Sequence, residues 1–110
     1  MRAIISSAAA LLIRSIMTRA GLDHDRMFIS ECRSVDWQSL TFTGERHILC
    51  LGLSAPGAVA AAARLRDGIG DAEWHLRGHV VADIMITGER MADDGSILVS
   101  LEALTLSNQA

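Results

Sequence analysis

Ser96 to Leu106 places apolar side chains on both faces of a single extended run, and this constrains the fold more than any other feature. Ile97, Val99, Leu101 and Ala103 point one way, while Leu98, Leu104 and Leu106 point the other. Only Ser100 and Glu102 interrupt the pattern. A strand that is apolar on both sides is ordinarily covered on both. The chain must therefore supply two layers, or supply one and borrow the second from a partner.

The rest of the sequence alternates helical and extended patterns. Residues 3–20 read as an amphipathic helix, with Ile4, Ala8, Leu11, Leu12 and Ile16 on one face and Ser7, Arg14 and Thr18 opposite. Gly21 is its natural terminator. Met27 to Val35 has strand character, with a turn or bulge at Ser34-Val35-Asp36. Ser39 to Thr43 alternates so that Leu40 and Phe42 share a face, predicting a half-buried strand. Gly44-Glu45 then turns the chain, and His47 to Leu53 returns as its partner. A second helix follows, with Ser54 as N-cap, Pro56 in the first turn, Ala60 to Ala63 along its length and Gly68 closing it. Trp74 to Arg77 predicts a short strand and His79 to Thr87 a long one. On the latter, Val80, Ala82, Ile84 and Ile86 face one way, and His79, Val81, Asp83, Met85 and Thr87 the other. Met91 to Gly95 forms a hairpin loop, with Gly95 suited to its left-handed position.

A four-residue phrase occurs twice, as Thr43-Gly44-Glu45-Arg46 and Thr87-Gly88-Glu89-Arg90. A shift of 44 residues also lays Leu40 and Phe42 on Ile84 and Ile86. The pattern fits an internal duplication of a helix-plus-strands unit, or two ordinary hairpins that share turn chemistry. Either way the expectation is an α+β two-layer sandwich: an antiparallel sheet of two hairpins packed by one or two helices.

A chain of 110 residues, half of them hydrophobic, has material for one real core. Residues 1–20 read as a separate N-terminal helix, or an extension preceding a start at Met17, and residues 21–110 as a single α+β domain. A net charge of −3 gives no electrostatic footprint for nucleic acid. The N-terminal stretch carries Arg14 and Arg19 where a signal peptide would be apolar, and it is too short to span a bilayer. With Cys32 and Cys50 as its only cysteines, the chain reads as a cytoplasmic protein with buried free thiols.

Candidate chemistry is sparse. His75 and His79 have the spacing of a helical metal pair, but in an extended strand they would stand about 13 Å apart; no metal or cofactor site is expected. His79 and Asp83 share a strand face on the alternating pattern, and His47 approaches them if the hairpins pair; this is the weak catalytic set. Ser30, Ser34 and Cys50 are nucleophile types outside any elbow motif. Asp93-Asp94-Gly95 is too short for a calcium loop, and Gly68-Ile69-Gly70 follows a helix, the wrong order for a dinucleotide fingerprint. Trp37, Trp74 and Cys50 are the candidates for a ligand pocket between sheet and helices. Glu45-Arg46 and Glu89-Arg90 read as charges at loop tips, or as a paired recognition surface.

The leading expectation is a non-enzymatic, self-associating interaction or assembly module, most simply a homodimer, through Val99, Leu101, Leu104, Leu106 and Met85. The alternatives are a small-ligand sensor and, third, a small His/Asp-dependent enzyme. The competing structural arrangement folds the N-terminal helix over the second apolar face within one molecule.

Overall fold

The computed structural model describes residues 5–107. Helix α1 (Ser7–Ala20) leads through a short 3-10 turn (His24–Arg26) into β1 (Met27–Gln38) and β2 (Thr43–Leu53). Helix α2 (Ala58–Arg66), a second 3-10 turn (Ile69–Asp71), β3 (His79–Met91) and β4 (Ile97–Ser107) complete the chain. Each half thus runs helix, 3-10 turn, hairpin. The four strands form one antiparallel sheet in the order β1-β2-β4-β3, so the two hairpins meet along β2 and β4.

Both helices lie on the same face. Leu12 and Ile16 of α1 and Ala61, Ala62 and Leu65 of α2 join one core with Leu49, Leu51, Leu53, Val99 and Leu101 of the central strands. The small alanines let α2 approach the sheet closely, as its composition suggests. The α+β two-layer architecture is as expected, but the arrangement with α1 on the opposite face is not found.

Local chemistry accounts for the element ends. The Ser6 side chain accepts a hydrogen bond from the Ala9 N–H at 3.1 Å, capping α1. Gly21 closes that helix at φ +77°, its N–H donating to the Met17 carbonyl. The expected helix start at residue 3, and with it Ile4, lies outside the described residues. Ser54 does not cap α2: its N–H donates to the Arg26 carbonyl, and Gly57, at φ +95°, occupies the cap position. Likewise α2 ends at Arg66, one turn-forming step before Gly68.

The first hairpin turns earlier than expected. β1 continues without a break through Val35 to Gln38, and the turn is Ser39 to Phe42. The Ser39 side chain accepts from the Phe42 N–H at 3.1 Å while the Ser39 N–H donates to the Phe42 carbonyl at 2.9 Å. Leu40 is therefore fully exposed at the tip and Phe42 is half-exposed, rather than half-buried in a strand. A serine that closes its own turn outcompetes the alternating pattern. Trp74 to Arg77 forms no strand; Leu76 makes only an isolated bridge to His79.

In consequence the repeated phrase lies in strands, not turns. Its first copy opens β2 and its second sits near the end of β3, so the two occupy non-equivalent places in their hairpins. What they share is a glutamate that ties the sheet to a helix. Glu45 accepts a hydrogen bond from the Ser6 hydroxyl at 2.8 Å, and Glu89 pairs with Arg66 of α2 at 2.7 Å. Both lie in strands rather than at loop tips. The Arg66–Glu89 pair is open to water, and surface pairs of this kind contribute about 0.2–1 kcal/mol. Glu89→Gln is accordingly expected to lower the urea midpoint only slightly.

Candidate functional site

Strand register determines which side chains share the face opposite the helices. Five rows cross the sheet there, read in the order β1, β2, β4, β3. They are Phe28-Gly52-Leu98-Arg90, Glu31-Cys50-Ser100-Gly88, Arg33-Ile48-Glu102-Met85, Val35-Arg46-Leu104-Asp83 and Trp37-Gly44-Leu106-Val80. Among the described residues nothing covers this face. Phe28, Val35, Val80 and Met85 are 45–52% exposed on it. Its charges are balanced, with Glu31, Asp83 and Glu102 against Arg33, Arg46 and Arg90.

Two of the glycines in these rows have opposite surroundings. A Cβ at Gly52 would meet the Phe28 ring at 2.1 Å, so that ring lies directly over the glycine. Gly88 has nothing within 4 Å of where its Cβ would be. With Cys50 and Ser100 alongside, it leaves a shallow depression of about 230 Å³.

The expected interface residues divide between the two faces. Leu104, Leu106 and Met85 are on the open face, whereas Val99 and Leu101 are 0% and 1% exposed beneath the helices and cannot reach a partner. The reading missed Phe28, Val35, Ile48 and Val80. For Val80 the cause is an irregularity in register between Val81 and Asp83, with a second between Ile86 and Gly88; β1 has one between Ile29 and Glu31. Each extra residue inverts the parity of all that follow. Val80 thereby joins Met85, and Val81 joins Ile84 and Ile86.

The same irregularity dismantles the catalytic set. His79 pairs with Ser107 on the helix side, while Asp83 pairs with Leu104 on the open side. His47 does approach His79 on the helix side. His47 is wholly buried, with Ser34 Oγ 2.7 Å from Nδ1 and Thr105 Oγ1 2.8 Å from Nε2. Hydroxyls both donate and accept, so they complement a neutral imidazole in either tautomer. Burial pushes the His47 pKa below its ordinary value of 6.5; nearby Glu45 opposes this and His79 adds to it. Ser34, a nucleophile type by its chemistry, is in the structure a partner holding this ring in place. An open cleft of about 180 Å³ beside the cluster is lined by Glu45, His79, Thr105 and Ser107 among others.

The expected ligand pocket between sheet and helices is not assembled. Trp37 and Cys50 lie on the open face in different rows, and Trp74 lies beneath Arg19 of α1, whose guanidinium is 5.9 Å from its ring centre. Cys32 and Cys50 are both free and half-buried rather than buried. They lie on opposite sheet faces, so they cannot bridge. Burial, aided by Glu45, raises the Cys32 pKa and keeps it a thiol. His75 and His79 are separated by Gly78 at φ +80° and share no helix. Asp94 accepts from both the Ser96 N–H and its hydroxyl, which hold its carboxyl below the usual range, and so serves the β3–β4 turn. Among the described residues no helix is long and apolar enough to cross a membrane. No protein-family model, curated protein or solved structure matches this chain.

Proposed function

We infer that this chain is a non-enzymatic module that associates with a second copy of itself through the uncovered face of its sheet. The observation that carries the reading is a whole sheet face with apolar side chains in every row but one and, among the described residues, no layer over it. Four strands about 4.8 Å apart, rising about 3.3 Å per residue over some eleven residues, present roughly 700 Å². That is close to the ~800 Å² that each partner contributes to a specific interface. Exposed apolar surface of this extent marks an interaction site.

The charge pattern favours a second copy over a partner of one sign. Equal numbers of acids and arginines on the face allow a two-fold partner to set each against its opposite. A strongly basic or acidic partner would meet as much repulsion as attraction.

Met85→Lys tests the reading. Met85 is 51% exposed and pairs across the strand with Glu102, so the new ammonium is tolerated within one molecule. Between two faces the ammonium would be desolvated, a cost that its pairing with Glu102 does not repay. Sedimentation is expected to show association weakened at least about tenfold, which corresponds to 1.4 kcal/mol. Leu40→Lys, at the exposed hairpin tip, is expected to leave association unchanged. Equal association of Met85→Lys and wild type would reject the open face as the interface.

A further inference from the structure

On the other side of the molecule, away from the open sheet face, an open cleft of about 390 Å³ lies between α1 and the segment before β3. Arg14, Ser15, Thr18 and Arg19 line it from the helix, and Glu73, Trp74 and His75 from the segment. Its volume is in the range of small-molecule sites. Two features make it unlike the other clefts. It gathers two guanidiniums against a single carboxylate. Its walls also bury two N–H donors, Arg19 Nε and Trp74 Nε1, that have no acceptor among the described residues. An unsatisfied buried donor costs about 1–3 kcal/mol, and native structures rarely leave two side by side.

The protein's own groups do not resolve the shortage. Arg19 Nη2 already donates to the Asp67 carbonyl, and its guanidinium lies over Trp74, 5.9 Å from the ring centre. The Thr18 hydroxyl donates to the Arg14 carbonyl at 3.0 Å. Glu73 is exposed, its carboxylate 3.8 Å from His75 Nε2. The site therefore offers positive charge and planar guanidinium donors beside an indole, and no acceptor among the described residues reaches the two buried N–H groups. We propose that this cleft binds a small metabolite through an oxyanion group, phosphate or carboxylate, held by Arg14 and Arg19 beside Trp74. Guanidinium forks match such groups with charge-assisted hydrogen bonds. The cleft is larger than the anion alone and accommodates an attached organic portion.

The test is a titration of the full chain followed by the two indole N–H signals in ¹H–¹⁵N spectra. Inorganic phosphate is the first probe, acetate the second, and chloride at matched ionic strength the control. A saturable shift of the Trp74 signal, with Trp37 on the open face unmoved, is expected from phosphate, acetate or both. The stronger of the two identifies the headgroup. Arg14→Gln is the variant of choice because Arg14 is exposed, whereas Arg19 bonds the backbone beyond α2. It is expected to weaken binding about tenfold, the loss of one charge-assisted hydrogen bond. A Trp74 signal that stays still with both anions, that moves equally with chloride, or that titrates identically in Arg14→Gln would overturn the proposal. None of these outcomes depends on whether the chain self-associates.

Discussion

Gly44→Ala is expected to destabilise the fold by about 3 kcal/mol or more, at the top of the usual range for overpacking. A Cβ at this position would lie 2.0 Å from the Thr105 carbonyl oxygen and 3.0 Å from the Leu106 Cα. Both are backbone atoms of β4, the neighbouring central strand, so no rotamer change relieves the contact. The strands must separate or the register must break, in a molecule whose total stability is of the order of 5–15 kcal/mol. The matching glycine of the second copy behaves differently. Gly88 is in a strand and has open space where a Cβ would go, so Gly88→Ala is expected to change stability by no more than about 0.5–1 kcal/mol. Urea unfolding of the two variants checks both statements. Similar losses in the two would contradict the placement of the repeated phrase in non-equivalent strand positions.

The second large effect is acid sensitivity centred on His47. Its pKa is lowered in the folded chain, because burial disfavours the charged ring, and returns to about 6.5 on unfolding. The unfolded state therefore takes up a proton at a pH where the native state does not. The contribution is complete above pH 6.5 and is lost as pH falls below that value towards the folded pKa. The slope from this one group approaches about 1.4 kcal/mol per pH unit. His47→Gln removes the titration while leaving an amide to bond Ser34 and Thr105. Unfolding free energies measured between neutral and mildly acidic pH are expected to fall less steeply in the variant than in wild type. Equal slopes would show that His47 does not govern this region.

The periodic elements were legible because burial follows a simple period in them. Leu12 and Ile16 at helical spacing and Ile97, Val99 and Leu101 at alternate positions led directly to α1, β4 and the α+β class. The two-sided character of β4 was also visible, and its counterpart is a strand that the described residues cover on one face only. What was not legible depends on single residues whose effect is local. Ser39 closes a turn with its own hydroxyl, moving the first hairpin by several residues and placing Leu40 in water. Irregularities beside Ser30 and Ala82 leave no periodic trace, yet they exchange the two faces of β1 and β3. For that reason His79 and Asp83 looked like neighbours, and Val80 read as sharing a face with Ile84 and Ile86. The His47 cluster joins residues 34, 47 and 105, and only pairing across three strands brings them together.

Should one face of the sheet be this molecule's means of contact, the mass in solution must depend on concentration. Sedimentation equilibrium of the wild-type chain measures this most directly. The expected result is a mass above that of the 11.8 kDa chain at micromolar concentration, an even multiple of it, that declines towards it on dilution. A mass of 11.8 kDa throughout that range would contradict self-association as the role of the open face.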